Sequence, residues 1–563
     1  MAHSAPATQP AATAPAELSR GAYLALAAAL LGWMFDGAEM GVFSLVGRPA
    51  ILDLLPGLSE LSAAERDAEV GRWLGVITGL FLVGAATGGV LFGWLGDRIG
   101  RVRAMTISVL TYAVFTSLCG LVNKPIYLGL LRFIASLGMG GEWSLGVALV
   151  MEVFPNRSRA FMAGLIGAAA NVGYLLVAFV GLTLASVLEQ LNSLLLAVGL
   201  SEPLVKQLMS GQGWRVMMIL GIVPALLTFF IRIFVPESEK WQEERDSGRT
   251  NHWATRDLLA VLVGCMGPAL MVYLYAWDET HWGGESFDHR GWPRLVATIL
   301  GLLLPVVGYL YPVVQYLQRS RQGASPASGT LSPSPVRGTI QRMLLAACLS
   351  GVALLGTWGG TQQAPAWADK MASESYEREK QQLMESGDTA AAMALVRPRA
   401  KEYMLLWLSV GAIIGTLAAA FLGDLIGRRP AYFLLCLLSL FSAFLLFQTN
   451  SSYSTRLLAI ALLAGTCSAS FYGWLPLYLP ELFATRVRAT GQGFGFNFGR
   501  VIAAIGSFQL GNLAKYLGDG MTLGPWKLTG GLPSACLVLS GIYVMGMIII
   551  WFAPETRGQS LPD

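Results

Sequence analysis

The chain has 563 residues, of which 54% are hydrophobic and only 13% charged, and its formal net charge is +4. Soluble domains average roughly 25% charged residues, so this composition excludes an ordinary soluble fold and points to a polytopic membrane protein. The small, dispersed charge argues against a nucleic-acid partner, and six cysteines standing singly, with no C-x-x-C, argue against a disulfide framework or a zinc site.

Residues 1–20 are rich in Ala, Pro and Thr and lack a basic n-region, which predicts a disordered cytoplasmic tail and not a cleaved signal. Fourteen apolar runs follow that are long enough, or nearly so, to span a bilayer. The first six are 23–46, 73–95, 104–122, 126–151, 161–184 and 216–234; two more are 258–277 and 295–317. The last six are 343–358, 404–422, 432–447, 457–479, 491–513 and 532–552. Short loops rich in arginine (Arg98, Arg101 and Arg103; Arg157 and Arg159; Arg428 and Arg429; Arg486 and Arg488) fall on one side, which the positive-inside rule assigns to the cytoplasm. With an even number of spans both termini lie there, in a multi-pass protein of the inner (cytoplasmic) membrane.

The chain repeats itself. GWLGDRIGRVRA returns as AFLGDLIGRRPA, MEVFPNRSRA as PELFATRVRA, and PESEKWQ as PETRGQS. The three offsets are all roughly 320–330 residues, a parallel repeat of two six-helix halves. The resulting division is an N-terminal bundle at 21–235, an inserted two-helix hairpin at 256–320, a Ser/Pro/Gly-rich linker at 321–339 and a C-terminal bundle at 340–563. The hairpin carries no charge within its spans, so it is expected at the periphery, facing lipid. Segments 53–72, 188–212 and 366–401 are expected to form short helices outside the membrane, either a solvated cap or a substrate gate.

Ionisable residues in an apolar run are costly, about 2.5–3.5 kcal/mol each on insertion scales, and therefore mark function. The stretch RFIASLGMGGEWSLGVALVME carries Arg132, Glu142 and Glu152, with Gly138, Gly140 and Gly141 offering close approach to another helix. Asp36 and Glu39 share a face of the first run. At about 1.5 Å per residue, Asp36 and Arg132 come to similar depths, about 10 and 9 Å below the outer face. They are expected to pair, either as part of a proton relay that includes Glu39 and Glu142 or as a structural ion pair. Arg500 lies about mid-membrane with no acid in its own run, and its planar fork suits a carboxylate. Asn497, Asn171, Trp143, Tyr174 and Tyr472 are candidates to line the same substrate site, as is Trp474; each also has a plain packing reading. Trp358 reads as an interface anchor. A charge network of Gly93, Asp97, Arg98, Gly100, Arg101, Glu152, Asp424, Arg428 and Glu481 is expected to form a cytoplasmic gate, the alternative being charges that anchor helix ends. His281 and His289 stand among acids, but their spacing fits no metal site, so neither metal nor cofactor is expected. No nucleophile–base pair or nucleotide loop suggests an enzyme.

The motif GWLGDRIGRVR, with its weaker copy at Gly423–Arg429, resembles the signature of the major facilitator superfamily. The resemblance implies two six-helix bundles rocking about a central site, here with two inserted helices to give an all-α, 14-helix protein. Asp36-Gly37-Ala38-Glu39, Gly140-Gly141-Glu142-Trp143 and Asn497-Phe498-Gly499-Arg500 resemble elements of proton-coupled organic-acid carriers of the sialate and aromatic-acid type. Glu39 stands where that branch has Asp, and the inserted pair resembles the arrangement of oligopeptide carriers. The function expected is proton-coupled symport of a small carboxylate by a monomer. A sugar porter, an exporter and a transporter-derived solute sensor are the alternatives.

Overall fold

Long apolar runs with glycine and alanine at helical spacing can satisfy every backbone polar group only by coiling on themselves. The computed structural model describes residues 20–276, 287–322, 336–518, 520, 522–523 and 526–562. The tail up to residue 19, most of the 321–339 linker and the loop with His281 lie outside these residues, and nothing is described of the His289 side chain.

The N-terminal half consists of α1 (Arg20–Leu54), α2 (Ala63–Ile99), α3 (Arg101–Cys119), α4 (Pro125–Val153), α5 (Arg159–Ala197), α6 (Glu202–Ile219) and α7 (Ala225–Phe234). The short α8 (Glu239–Asp246) leads to the hairpin, α9 (Leu258–Ala276) and α10 (Phe287–Gln322). The C-terminal half contains α11 (Val336–Trp358), α12 (Ala364–Glu385), α13 (Thr389–Ala394), α14 (Ala400–Ile426) and α15 (Arg428–Gln448). It continues with α16 (Thr455–Ser468), α17 (Phe471–Tyr478), α18 (Arg488–Tyr516), α19 (Leu532–Ser540) and α20 (Ile542–Ile549), and a two-residue antiparallel ribbon pairs Thr522–Leu523 with Trp526–Lys527. The halves meet chiefly where α2 packs on α18 and α5 on α14 and α17.

Among the described residues, 12 helical stretches are long and apolar enough to cross a membrane. The two remaining predicted runs are present as helix but fall short of that test. Run 216–234 is divided by a 3-10 turn at Leu220–Ile222 ahead of Pro224, and run 491–513 lies in α18, whose glycines and polar residues lower its hydropathy. Of the expected surface helices, 53–72 is mostly the ends of α1 and α2 with a 3-10 turn at Pro56–Glu60 between them, and in 188–212 the end of α5 is followed by a separate short helix from Glu202 that breaks from the rest of α6 at Ser210–Gly213. A capping box of Ser62 and Glu65 starts α2 well before residue 73, and α5 runs unbroken to Ala197. Segment 366–401 forms α12 and α13. Away from the arginine-rich end, Arg215 pairs with Asp53 at 3.0 Å and donates to the Val122 carbonyl at 2.6 Å, tying α6 to α1 and to the α3–α4 turn.

Candidate functional site

Between the halves lies a cavity walled by α1 and α5 on one side and by α11, α14, α17 and α18 on the other. Of the residues expected to bind solute, Asn171, Tyr174, Tyr472 and Arg500 line it. Arg500 is 7% exposed, and its Nη1 has no protein partner. Its guanidinium lies 5.6 Å from the Phe496 ring centroid and faces Asp36, Tyr472 and Tyr174. Asn171 has its amide fixed by donation to the Gly167 carbonyl at 2.9 Å. Phe496 stacks on Trp143 at 3.8 Å and 12°, with Trp33 6.0 Å from Trp143 and Tyr472 edge-on to Phe496 at 6.4 Å. A guanidinium whose Nη1 has no acceptor thus stands beside a broad aromatic surface.

Three expected contacts are corrected. Trp143 supports Phe496 from behind and does not line the cavity. Asn497 is fully buried and donates to the carbonyls of Gly140 at 3.0 Å and Gly493 at 3.1 Å, so it binds α18 to α4. Trp474, too, lies elsewhere, donating to the Arg428 carbonyl at 3.2 Å. Conversely, Trp33, Met40, Gln362, Ser409 and Phe496 line the cavity unforeseen, and Trp358, expected as an interface anchor, lines it as well. A second cleft of ≈ 250 Å³, away from the arginine-rich end, shares Trp358 and Gln362 with it.

The carboxylates are paired differently from the depth argument. Arg132 bonds Glu39 at 2.6 Å, not Asp36, and its guanidinium lies over Phe43 at 4.0 Å and Phe81 at 4.8 Å. Depth counted from the cytoplasmic start of the run across a core of about 30 Å fixes height only to about a turn, and Glu39 lies three residues, less than one turn, beyond Asp36. Asp36 instead lies within hydrogen-bonding reach of Glu142 and faces Arg500. Neither Glu142 oxygen, nor Asp36 Oδ1, has a protein donor. Gly32 makes room for this pair, since a Cβ there would stand 1.5 Å from Glu142 Oε1. Adjacent buried carboxyls resist double ionisation and are readily joined by one proton.

At the arginine-rich end the sequence repeat becomes a repeat of bonds. Arg101 holds Asp97 at 2.7 Å and Glu152 at 3.1 Å; Arg428 holds Glu481 at 2.7 Å and Asp424 at 3.4 Å. Ser238 donates to Glu152 and Thr556 to Glu481, both at 2.6 Å. Gly100 and Gly427 turn the chain between helices at φ 111° and 99°, a region that favours glycine. Glu237 and Glu555 cap the helices that follow, accepting from the backbone N–H groups of Arg101 and Arg428 at 2.9 Å. Burial pushes Glu237 above the usual carboxylate range; at Glu555, which also meets a burial cost, the backbone donors win and hold it below.

Across the halves the repeat is unequal. Asp97 is fully buried and accepts from the Thr490 N–H at 2.9 Å and its hydroxyl at 2.6 Å, while Arg488 reaches Glu152 at 3.0 Å. Gly93 abuts the backbone of Ala489 and Thr490, and Arg98 donates to Thr255 at 2.6 Å. The Asp424 side chain is 56% exposed. In the repeat, Phe161 stands in the place of Thr490 and meets Phe421 at 6.1 Å. Of the residues expected to form a cytoplasmic gate, Asp97, Arg101 and Glu152 come together in one cluster and Arg428 and Glu481 in its counterpart, while Arg98 and Asp424 are exposed. A bond to an ionised group contributes about 1.5–3 kcal/mol, so Thr490→Val should open this end about tenfold more often. The measurement is the alkylation rate of a cysteine at the buried Ser144, in protein lacking the native cysteines; an unchanged rate removes the Asp97–Thr490 bond from the gate.

A family profile described as "Sugar (and other) transporter" matches residues 27–257 and 403–563. A probable 4-methylmuconolactone transporter of Cupriavidus pinatubonensis is 25% identical, over 94% of this chain and 90% of its own length. A cis,cis-muconate transport protein of Acinetobacter baylyi is 30% identical over 38% of this chain and 44% of its own. Low affinity inorganic phosphate transporter 5 of Petunia hybrida is 23% identical over 88% of this chain and 82% of its own. In fold, the proton:xylose symporter XylE of the major facilitator superfamily, bound to 6-bromo-6-deoxy-D-glucose, matches with a TM-score of 0.60 at 16% identity, over 97% of this chain and 98% of that one.

Proposed function

The chain belongs to the sugar (and other) transporter family, within the major facilitator superfamily, and from that premise we propose that it is a proton-coupled symporter of a small planar organic acid. The observation that carries this reading is Arg500, a buried guanidinium in the cavity wall with an unpartnered Nη1 and an aromatic surface alongside. An arginine fork binds a carboxylate through two parallel bonds, and Phe496 and Trp33 offer faces for a conjugated or ring system. The arginine-rich end is cytoplasmic by the positive-inside rule, and the divided α6–α7 and polar α18 complete 14 crossings. Both chain ends then lie inside, in the cytoplasmic membrane. Closure at that end, with a cleft at the other, makes this an outward-facing arrangement.

Coupling follows from Asp36 lying near both Arg500 and Glu142. An ionised Asp36 attracts Arg500 and competes with substrate for it. A proton shared by Asp36 and Glu142 removes that competition, so proton uptake favours carboxylate binding. The Arg132–Glu39 pair, further along the same helices, is the place from which the proton reaches or leaves them. Release inside requires Asp97 and Arg488 to part from Thr490 and Glu152 as the halves rock.

The Petunia relative favours one rival, an inorganic oxyanion held by the same arginine. Thermal-shift titration of purified protein tests both, since a ligand stabilises what it binds. Muconate and benzoate should raise the melting temperature, with benzamide inert and phosphate weaker. Stabilisation by phosphate alone selects the rival, and equal stabilisation by benzamide removes Arg500 from recognition. Proton coupling is tested separately, by uptake into proteoliposomes under an imposed pH gradient.

A further inference from the structure

The α9–α10 hairpin is the large element that the transport reading leaves unused. One face is bare and apolar: Leu262, Met266, Leu303 and Val307 are 56–68% exposed, as expected of side chains that meet lipid. The other face is packed against the bundle. Tyr309 and Tyr316 are fully buried, and Met271 packs with Phe81 and Leu82 of α2, Met139 of α4 and Ala504 of α18.

What holds the hairpin differs from what it merely covers. Tyr309 shares a 2.8 Å hydrogen bond with Thr87 of α2, at a depth where no water competes, and Cys265 lies beside the same threonine. Arg98, at the end of α2, donates to Thr255 just ahead of α9. The connection from the N-terminal half is itself clamped there, with Trp241 of α8 donating to the Asp97 carbonyl at 3.0 Å. Arg319 closes the foot of the hairpin onto Asp257 at 2.5 Å. Toward the other half α10 lies against α18 and α11 through apolar side chains such as Leu310 and Val313, and Met271 of α9 shares an apolar cluster with Ala504 of α18. Directional bonds fix relative position, whereas apolar packing in a membrane is non-directional and tolerates sliding.

The position matters as much as the chemistry. Toward the arginine-rich end α2 and α18 touch backbone to backbone at Gly93. Toward the other end the ≈ 250 Å³ cleft parts Thr78 and Leu82 of α2 from Trp358 and Ala504. Met271 stands beside that parting, on its lipid side. We propose that the α9–α10 hairpin is a lateral seal: it rides with the N-terminal half and slides over α18, closing the α2–α18 seam to lipid while the halves rock. This rests on the halves moving as the transporter reading requires.

Two disulfides test it in protein whose other native cysteines are replaced. Thr87→Cys with Cys265 ties the hairpin to α2; Met271→Cys with Ala504→Cys ties it to α18. Each is formed by oxidising the folded dithiol protein, so the reduced form is its own control. The readout is backbone amide deuterium exchange of residues 489–497, where the arginine-rich end must open. The Met271→Cys/Ala504→Cys bond should slow exchange at least tenfold, and the Thr87→Cys/Cys265 bond should leave it unchanged. The seal is overturned if the first bond leaves exchange at the reduced rate, if the second slows it equally, or if the first pair does not cross-link. No substrate enters the measurement, so its failure is distinct from failure of the carboxylate reading.

Discussion

Replacing Arg500 by lysine should weaken binding of a carboxylate solute by about 2 kcal/mol, about 30-fold in Kd. Lysine keeps the positive charge, so a site that needs only charge would be little affected. What is lost is the planar fork, which meets both carboxylate oxygens at once. The ammonium is also more strongly hydrated, and this position is nearly closed to water, with 7% of the residue exposed. Binding can be followed through the intrinsic fluorescence of Trp33 and Trp358, which line the cavity. Lysine protein that binds benzoate as tightly as the natural protein takes Arg500 out of the site.

The second large effect is on coupling and not on binding. Asp36→Asn should still exchange labelled for unlabelled substrate across a liposome membrane, yet fail to concentrate it under a pH gradient. Asparagine is close to the shape of a protonated aspartate, so Arg500 stays available to the solute in every step. The carboxyl that would alternate between holding Arg500 and sharing a proton with Glu142 is gone. A purely structural role predicts otherwise: lost folding or lost exchange, with surviving protein still driven by pH. Accumulation at the natural ratio would shift the coupling role to Glu142 or Glu39.

Charged residues within apolar runs were the legible part of the site, because so few are tolerated there that each stands out. Asp36, Glu39, Arg132, Glu142 and Arg500 were found in this way. Which of them meet was not legible, since helix rise gives depth only to about a turn and says nothing of rotation. Asp36 and Glu39 are less than one turn apart on the same face of α1, and the Arg132 partner is Glu39. The asparagine at 497 was misread because a short amide side chain beside glycines serves a neighbouring carbonyl as readily as a ligand. Trp33 and Phe496 carried no signal among 16 Trp and 25 Phe residues, and only packing sets them at the cavity. The two-half repeat, by contrast, was plain, because loops between helices keep charge and glycine in fixed order. Its hairpin insertion was visible as two extra runs, but its hold on α2 through Tyr309 and Thr87 depends on a contact between residues far apart in sequence.

The inequality of the two repeats at the arginine-rich end has a kinetic consequence. Asp97 grips Thr490 across the halves, whereas its counterpart Asp424 is exposed and Phe161 faces Phe421 instead of offering a hydroxyl. A doubled latch would add a further charged hydrogen bond to the barrier for opening, about 1.5–3 kcal/mol, and lengthen the dwell time of the closed state by roughly 10- to 150-fold. In the proposed transport cycle, one latch and one greasy bearing would keep a tight shut position while leaving the exit fast enough that this step need not limit turnover. Restoring the symmetry with Phe161→Thr would be a way to slow the carrier without touching its binding cavity.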